Sequence, residues 1–475
     1  MKTNVEILHR LREKMSLSKR KNGLVEATEV NKLAGHFTLL ALAKYTFPSI
    51  VTLMLCGTFA VFDALFVANF PAEFSGETSL AAINLTYPLL HLFVSVGYAI
   101  GIGGNALIAA TMGRGHMRKA REIFSMLMIF AFVCGLIFAI LIAVFIGPFL
   151  DATGASGALY DAGYSYCLII AAFFPLALFQ FTLTYMFICA GRPSMSVVAN
   201  VICGSTNVLL DLVFVVGFGW GIKGAALATG IGFAISAIFG LVYFSVDNPS
   251  TLRFVKPVFD LRALVKSLTN GFSEFLGSAS VSLITLIFNF QLMRYVGEEG
   301  VAAFGIVGYI AYIFLFILLG FVEGSEPIIS FNYGANNTKE LKSLFKKSIL
   351  ILLFANILLF AVTEVFSEPL VSAFVSYNPE LLAYTTNAFR IYSFCYLFAG
   401  FTIFGGGFFT ALNNGLVSAI IAFFHSIIFQ VGFLLFFPAQ FGIESIWSAV
   451  PCANFCTTIL TVILLLVFRK KYKYF

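Results

Sequence analysis

The chain has 475 residues, 60% of them hydrophobic and 11% charged, against roughly 45–50% and 25% in soluble domains. With a mean hydropathy of +0.95, this composition excludes a soluble domain carrying a single anchor and describes an integral membrane protein. The net charge of +6 does not point to nucleic acid, because the basic residues sit in short loops where they meet anionic lipid heads.

A spanning helix needs about 20 apolar residues, and twelve runs qualify, at 38–69, 80–112, 121–149, 158–190, 195–217, 224–245, 264–296, 301–333, 343–366, 380–411, 416–436 and 443–468. None alternates as a barrel strand would. A polar basic stretch (Arg10, Arg12, Lys14, Lys19, Arg20, Lys21) precedes the first run. That run lacks a cleavage pattern and is too long for a signal peptide, so it reads as retained. Basic residues follow the second span (Arg114, Arg118, Lys119, Arg121), the fourth (Arg192), the sixth (Arg253, Lys256, Arg262, Lys266), the eighth (Lys339, Lys342, Lys346, Lys347) and the last (Arg469, Lys470, Lys471, Lys473). The alternate loops carry acids. The positive-inside rule then places both termini in the cytoplasm. The domains read as a tail at 1–36, a first lobe at 37–246, a linker at 247–263, a second lobe at 264–468 and a basic tail at 469–475. The eight cysteines fall inside spans and read as small apolar side chains without a metal set.

Two carboxylates stand at bilayer depth. Asp63 lies in the first span, and Asp211 lies in the fifth, one turn after Asn207. A charge there costs about 2.5–3.5 kcal/mol on insertion scales, so such residues usually serve a cavity or a ligand. Asn207 and Asp211, at i and i+4, share a helix face. The competing reading of Asp211 is a helix–helix hydrogen-bond anchor. Pro48 removes a backbone donor in the first span and is expected to kink it. Glu323 and Glu326 in the eighth span either reach a cavity or approach the polar interface. Arg390 either pairs with an anion or snorkels outward.

The halves echo one another at an offset near 221. Gly221-Ile-Lys-Gly224 answers Gly442-Ile-Glu-Ser445, Leu80-Ala-Ala82 answers Val301-Ala-Ala303, and Gly191-Arg-Pro193 answers Asn413-Asn-Gly415. Six spans per half give both halves one orientation, as in parallel-repeat transporters. Pairing Phe62-Asp63 with Phe288-Asn289 sets a neutral Asn289 opposite the first acid, and position 211 falls near Gly432. The acidic pair therefore belongs to the first half alone, which favours function over architecture.

Several segments in order resemble the multidrug and toxic compound extrusion (MATE) family, in its bacterial branch: Pro48 with Phe62-Asp-Ala-Leu-Phe-Val67, Asn207-Val-Leu-Leu-Asp211, Gly221-Ile-Lys-Gly-Ala-Ala-Leu-Ala-Thr229, Asn270-Gly-Phe-Ser-Glu274, and Glu326-Pro-Ile-Ile-Ser-Phe-Asn-Tyr-Gly-Ala335. The resemblance implies an all-α polytopic protein of twelve helices in two six-helix lobes around a central cavity. It implies efflux of organic, often cationic, compounds by antiport with H⁺ or Na⁺ in a bacterial cytoplasmic membrane, with no cofactor beyond that ion. The family's cation site maps onto Asp63, Asn207, Asp211 and Thr229, with Tyr166 as a further member. The second-lobe acids of another branch have no equivalents, since Glu274 opens the seventh span and Arg390 stands in the tenth. Two carboxylates, an amide oxygen and a hydroxyl suit Na⁺; the same acids, close together, could instead share one proton. The expected partners are a small organic substrate and membrane lipids, around a monomer. The second-ranked function is a lipid-linked oligosaccharide flippase, which needs several cavity cations where only Arg294 and Arg390 offer themselves. A membrane-embedded enzyme or an ATP-driven pump is disfavoured, for no catalytic pair and no P-loop is found.

Overall fold

The computed structural model describes residues 33–375 and 378–475; the basic run at 10–21 lies outside the described residues. The described chain is helical throughout, with no strand among those residues. Its helices are α1 (Leu39–Asn69), α2 (Gly76–Gly113), α3 (Met117–Ala152), α4 (Ala158–Cys189), α5 (Pro193–Gly217), α6 (Gly221–Ser245), α7 (Leu261–Tyr295), α8 (Glu298–Gly334), α9 (Thr338–Val365), the short α10 (Ser367–Val375), α11 (Pro379–Ser393), α12 (Tyr396–Ala411), α13 (Gly415–Phe441) and α14 (Ile443–Tyr472). Eleven are long and apolar enough to cross a membrane; α11 and α12, bent by 48° at a short break, together make the twelfth. All twelve predicted spans are therefore helical. Polar caps start several of them: Thr38 accepts from the Ala41 amide and Asp260 from the Ala263 amide, each satisfying an orphan donor of the first turn. On α3, Ile129, Phe132, Val133, Leu136, Ile137, Ile140 and Val144 are exposed. Their spacing of three and four makes one apolar helix face, as a lipid-facing surface requires.

The lobes, α1–α6 and α7–α14, repeat one packing scheme. In the first, α3 packs on α4, α2 on α4, α4 on α6, α1 on α5 and α5 on α6; in the second, α9 packs on α12, α8 on α12, α12 on α14, α7 on α13 and α13 on α14. Left-handed turn residues recur in step, Gly115 with Asn336, Gly191 with Asn413 and Gly221 with Gly442.

Where the lobes meet, α2 crosses α7 and α8, and α1 crosses α8. These crossings obey the same offset with the lobes exchanged. A Cβ on Gly271 would stand 1.9 Å from the Ala99 carbonyl, and one on Gly320 2.5 Å from the Ile50 Cα; 99 + 221 is 320 and 50 + 221 is 271. Likewise Gly103 meets Ser267 while Gly324 meets Thr46, and Gly113 meets Phe331 while Gly334 meets Ala110. Backbones this close leave no room for any side chain but hydrogen. All these contacts lie toward the end that carries both described chain ends, called here the terminal end. At the other end Gly305 and Gly308 of α8 meet nothing within 4 Å. The closest backbone approaches between the lobes are thus the ones toward the terminal end.

This register corrects one pairing. Helices α1 and α7 are unbroken, so the match of Thr46 with Ser267 and Ile50 with Gly271 carries on to set Asp63 against Ile284, not Asn289. The Phe-Asn echo of Phe-Asp misled, because α7 runs on past the point where α1 ends. Thr229 then faces Val450. Asp211, taking an offset of 221 or 222, faces Gly432 or Phe433. The second lobe is apolar where the first is polar, and the asymmetry is sharper than the sequence echo suggested.

Candidate functional site

The polar set lies between α1, α5 and α6 in the half of the first lobe away from the termini. Helices α5 and α6 approach closely at Gly232, where a Cβ would come within 2.9 Å of the Cys203 carbonyl oxygen and 3.5 Å of the Asn207 Cβ. That approach brings Asn207 to Thr229: the Asn207 Nδ2 donates to Thr229 Oγ1 at 3.1 Å and to Asp63 Oδ1 at 3.3 Å. Thr229 Oγ1 in turn donates to the same Asp63 Oδ1 at 3.3 Å. Three helices are thus closed into one hydrogen-bonded triangle on Asp63.

Asp211 completes the set differently. It is 0% exposed, and neither carboxylate oxygen has a donor. Its carboxyl adjoins that of Asp63. Two neighbouring carboxylates repel unless one carries a proton or a cation compensates them. Immediately after Asp211, α5 loosens into a π-helical stretch, Leu212–Gly217. Such stretches are frequent at functional sites, and nothing in the residue pattern announced this one. Tyr166, buried on α4, lies within electrostatic reach of both acids. Around them Val67, Ile170, Val215, Ile222 and Ala226 form an apolar cluster, a low-dielectric shell in which a charge or its neutralisation weighs heavily. Of the five residues expected together, Asp63, Asn207 and Thr229 share hydrogen bonds, Asp211 adjoins Asp63, and Tyr166 lies near both acids.

The remaining candidates scatter. Pro48 sits inside α1, which continues past it as one helix. Asn289 stands on α7 with its Oδ1 unpaired, apart from the acid set. Arg390 is exposed, and its Nε donates to Ser367 Oγ at 2.9 Å; the buried ion pair weighed for it does not form. Glu274 is not at the opening of its helix, since α7 starts at Leu261 and carries Glu274 about 20 Å along at 1.5 Å per residue. There it comes within electrostatic reach of Glu323 and Glu326. Sequence reasoning missed the groups facing these acids, above all Tyr185, whose hydroxyl donates to Glu323 Oε1 at 3.4 Å.

A duplicated twelve-span body with a hydrogen-bonded carboxylate site in its first lobe has the architecture of a polytopic membrane transporter. The chain belongs to the MatE family, whose model matches residues 48–213 and again 275–435, one match in each lobe. It is similar to the multidrug export protein MepA of Staphylococcus haemolyticus, at 24% identity over 88% of this chain and 91% of that one. The MepA of Staphylococcus aureus strain MSSA476 is 22% identical, over 88% and 91%. Among solved structures, an outward-facing conformation of a multidrug resistance MATE family transporter of the MOP superfamily matches with a TM-score of 0.87 and 20% identity, over 94% of this chain and 99% of that one. A MATE crystal structure in complex with MaL6 matches with a TM-score of 0.88 and 19% identity, over 94% and 99%. At this identity the structures attest the fold.

Proposed function

We propose that the protein is a secondary active efflux transporter that exports organic, chiefly cationic, compounds by antiport with H⁺ or Na⁺. The observation that carries this reading is Asp211, fully buried beside Asp63 with no donor on either oxygen. A buried carboxylate left so is costly, and one proton or one small cation relieves it. For Na⁺ the ligands would be carboxylate oxygens of Asp63 and Asp211 with the Asn207 amide oxygen and the Thr229 hydroxyl, all hard oxygen donors. For H⁺ the pair would hold the proton between its carboxyls. Either occupant removes like-charge repulsion between α1 and α5. It drives a conformational change only through its different affinity for the two states of the lobes.

The multidrug export ascribed to the staphylococcal relatives supports the substrate class. The loop charges support an orientation with the terminal end facing the cytoplasm, and the staphylococcal relatives support a bacterial cytoplasmic membrane; residues 37–246 and 264–468 would be the moving lobes of a monomer. A lipid-linked oligosaccharide flippase would need cations inside. Arg294 and Arg390 are both exposed, and the interior groups Glu274, Glu323 and Glu326 have the opposite sign.

Purified protein in proteoliposomes, loaded with a fluorescent organic cation, tests the reading under an imposed Na⁺ gradient and, separately, a pH gradient. One gradient should drive accumulation against the substrate gradient. Asp63→Asn and Asp211→Asn should each reduce transport to that of empty vesicles at equal insertion. Gradient-driven transport by either variant at the wild-type rate would sink the coupling role.

A further inference from the structure

Four cations without a counter-charge stand together at the terminal end of the second lobe. Lys342 on α9 and Arg469, Lys470 and Lys473 at the end of α14 line one cleft of about 400 Å³, with Thr338 and Phe475 as its other walls. No acidic side chain lines it, and among the described residues none of the four cations forms an ion pair. Glu340, the one acid on this stretch of α9, is buried and engaged elsewhere, accepting from the Phe37 amide and lying against His36.

The cleft has a fixed wall. Helix α14 stops at Tyr472, and Lys473 takes a left-handed backbone, φ 56°, which is unfavourable for a residue with a Cβ. The next residue offsets that strain. Tyr474 is 0% exposed, its hydroxyl donates to the Leu465 carbonyl at 2.7 Å, and its ring packs on Phe345 of α9 and Phe408 of α12. Phe475 follows onto Phe345, with ring centroids 5.2 Å apart. The chain thus crosses from α14 to α9 and holds Lys473 in the cleft.

The first lobe has the same fold-back without the charge. There the linker after α6 returns to α3: the Phe254 amide donates to the Phe244 carbonyl at 3.0 Å, and the Phe254 ring lies 4.8 Å from that of Phe124. Adding 221 turns Phe124 and Phe254 into Phe345 and Phe475, so the two returns are counterparts. Subtracting 221 from the four cations leads to Arg121, Asn248, Pro249 and Leu252. Arg121 donates to the Thr251 carbonyl at 2.9 Å, and the other three are uncharged. The fold-back therefore does not demand Arg469, Lys470 and Lys473.

The surroundings of the cleft say what would occupy it. On α9, exposed Lys342, Lys346 and Leu350 follow one another at a spacing of four, and Leu353, Phe354 and Ile357 continue exposed. On α14, exposed Ile463 and Leu466 lead at spacings of three and four to Lys470. Each helix carries one face that is apolar along the span and cationic at its end. A molecule with a phosphate at one end and acyl chains at the other matches both parts, and basic pockets between spanning helices take such headgroups. A soluble phosphate would leave the apolar faces unmatched. Thr338, at the start of α9, adds a hydroxyl and the positive end of that helix. We propose that Lys342, Arg469, Lys470 and Lys473, with Thr338, form a binding site for the phosphate of an anionic phospholipid whose chains lie along α9 and α14. The site goes beyond the efflux reading and stands whether or not an ion gradient drives transport. Its occupant joins the end of α14 to α9, the helix whose Glu340 and Lys347 hold the segment ahead of α1, and so steadies the terminal end.

The test is lipid binding to the purified full-length protein in detergent, counted by native mass spectrometry with dioleoylphosphatidylglycerol and, separately, dioleoylphosphatidylcholine. Wild type should bind the glycerol lipid about tenfold more tightly, the scale of a charge-assisted contact. Lys342→Gln combined with Lys470→Gln should remove that preference. Lys256→Gln combined with Arg262→Gln takes the same charge from exposed positions of the same end outside the cleft, and should keep it. Both double variants should unfold at the wild-type temperature without lipid, so that lost binding is not lost folding. Tyr474→Ala changes no charge but frees Lys473, and should weaken the glycerol lipid several-fold. Equal binding of the two lipids by wild type, or an unchanged preference in the Lys342→Gln, Lys470→Gln variant, overturns the site. Loss of the preference in the Lys256→Gln, Arg262→Gln variant as well would reduce it to net surface charge and overturn it too. Displacement of the glycerol lipid by an equal concentration of inorganic phosphate would overturn the lipid as occupant in favour of a soluble phosphate.

Discussion

At the level of single side chains, the site is a closed triangle with an unbonded fourth member beside it. Asp63 Oδ1 receives two hydrogen bonds, from Asn207 and Thr229, while Asp211 receives none from any donor. Removing the Thr229 hydroxyl costs Asp63 one bond and leaves Asn207 one acceptor short, a net loss of about 1 kcal/mol or roughly fivefold in affinity. Thr229→Val should therefore raise the concentration of coupling ion that half-saturates transport several-fold, and Thr229→Ser should restore it. Equal half-saturation in Thr229→Val would remove Thr229 from the site. Asp211→Asn has opposite effects on stability and transport. The amide brings a donor to Asp63 and relieves the like-charge contact, so thermal unfolding in detergent should move to higher temperature even as transport is lost. A lower unfolding temperature would mean that Asp211 is an architectural anchor.

At the scale of helices, much was legible and some was not. Hydropathy located all twelve spans, and turn residues located the repeat, because Gly115 with Asn336 and Gly221 with Gly442 each need the same left-handed backbone that few residues supply. Asn207 and Asp211 could be placed on one face by spacing alone. The break in the tenth span between Ser393 and Tyr396 was not legible, since no proline or polar run marks it. Neither were the π stretches in α5 and α13. Glu274 and Tyr185 escaped for a different reason: their meaning depends on which faces of α4, α7 and α8 turn toward one another, and one tyrosine among 18 carries no signal of its own. The crossings make a prediction at this scale. A methyl at Gly271 would strike the Ala99 carbonyl at 1.9 Å, and backbone cannot yield as a side chain can. Gly271→Ala should force the lobes apart at the terminal end, lowering both unfolding temperature and efflux. Gly308→Ala, with nothing within 4 Å, should leave efflux intact. If both variants transport alike, the crossing is not a closed gate.

For the whole molecule, the duplication extends beyond the helices to the segments that lead into each lobe. Ahead of α1, the Leu33 carbonyl accepts from Asn332 Nδ2 at 3.2 Å, the Phe37 amide donates to Glu340 Oε1 at 3.0 Å, and His36 Nδ1 lies 2.6 Å from Glu340 Oε2. Lys347 also donates to the Phe37 carbonyl. Ahead of α7, the Val255 amide donates to Ser125 Oγ at 3.0 Å, and Asp260 pairs with Lys119 at 3.4 Å. Positions 119 and 340 differ by 221. Each lobe's lead-in is therefore strapped to the third span of the other lobe at the terminal end, with the acid on the span in one strap and on the lead-in in the other. The Ala263 amide, with Lys119 beside it, holds the Asp260 carboxyl below its ordinary range. A depressed carboxylate stabilises above its unfolded pKa, about 3.9, and loses that contribution as pH falls through the lower folded value. The Lys119–Asp260 strap thus persists through the neutral range. Glu340→Ala strips acceptors from a buried amide and from His36, a loss of about 1–3 kcal/mol, and Asp260→Ala releases the second strap. If the straps hold the terminal end shut, each variant should speed maleimide labelling of Cys189, 0% exposed and donating to the Asn105 carbonyl on α2. The double variant should label fastest, with near-additive effects because the two straps share no residue. Peptide-resolved mass spectrometry separates Cys189 from the exposed Cys56. Labelling of Cys189 at the wild-type rate in the double variant would mean that the glycine crossings close that end unaided.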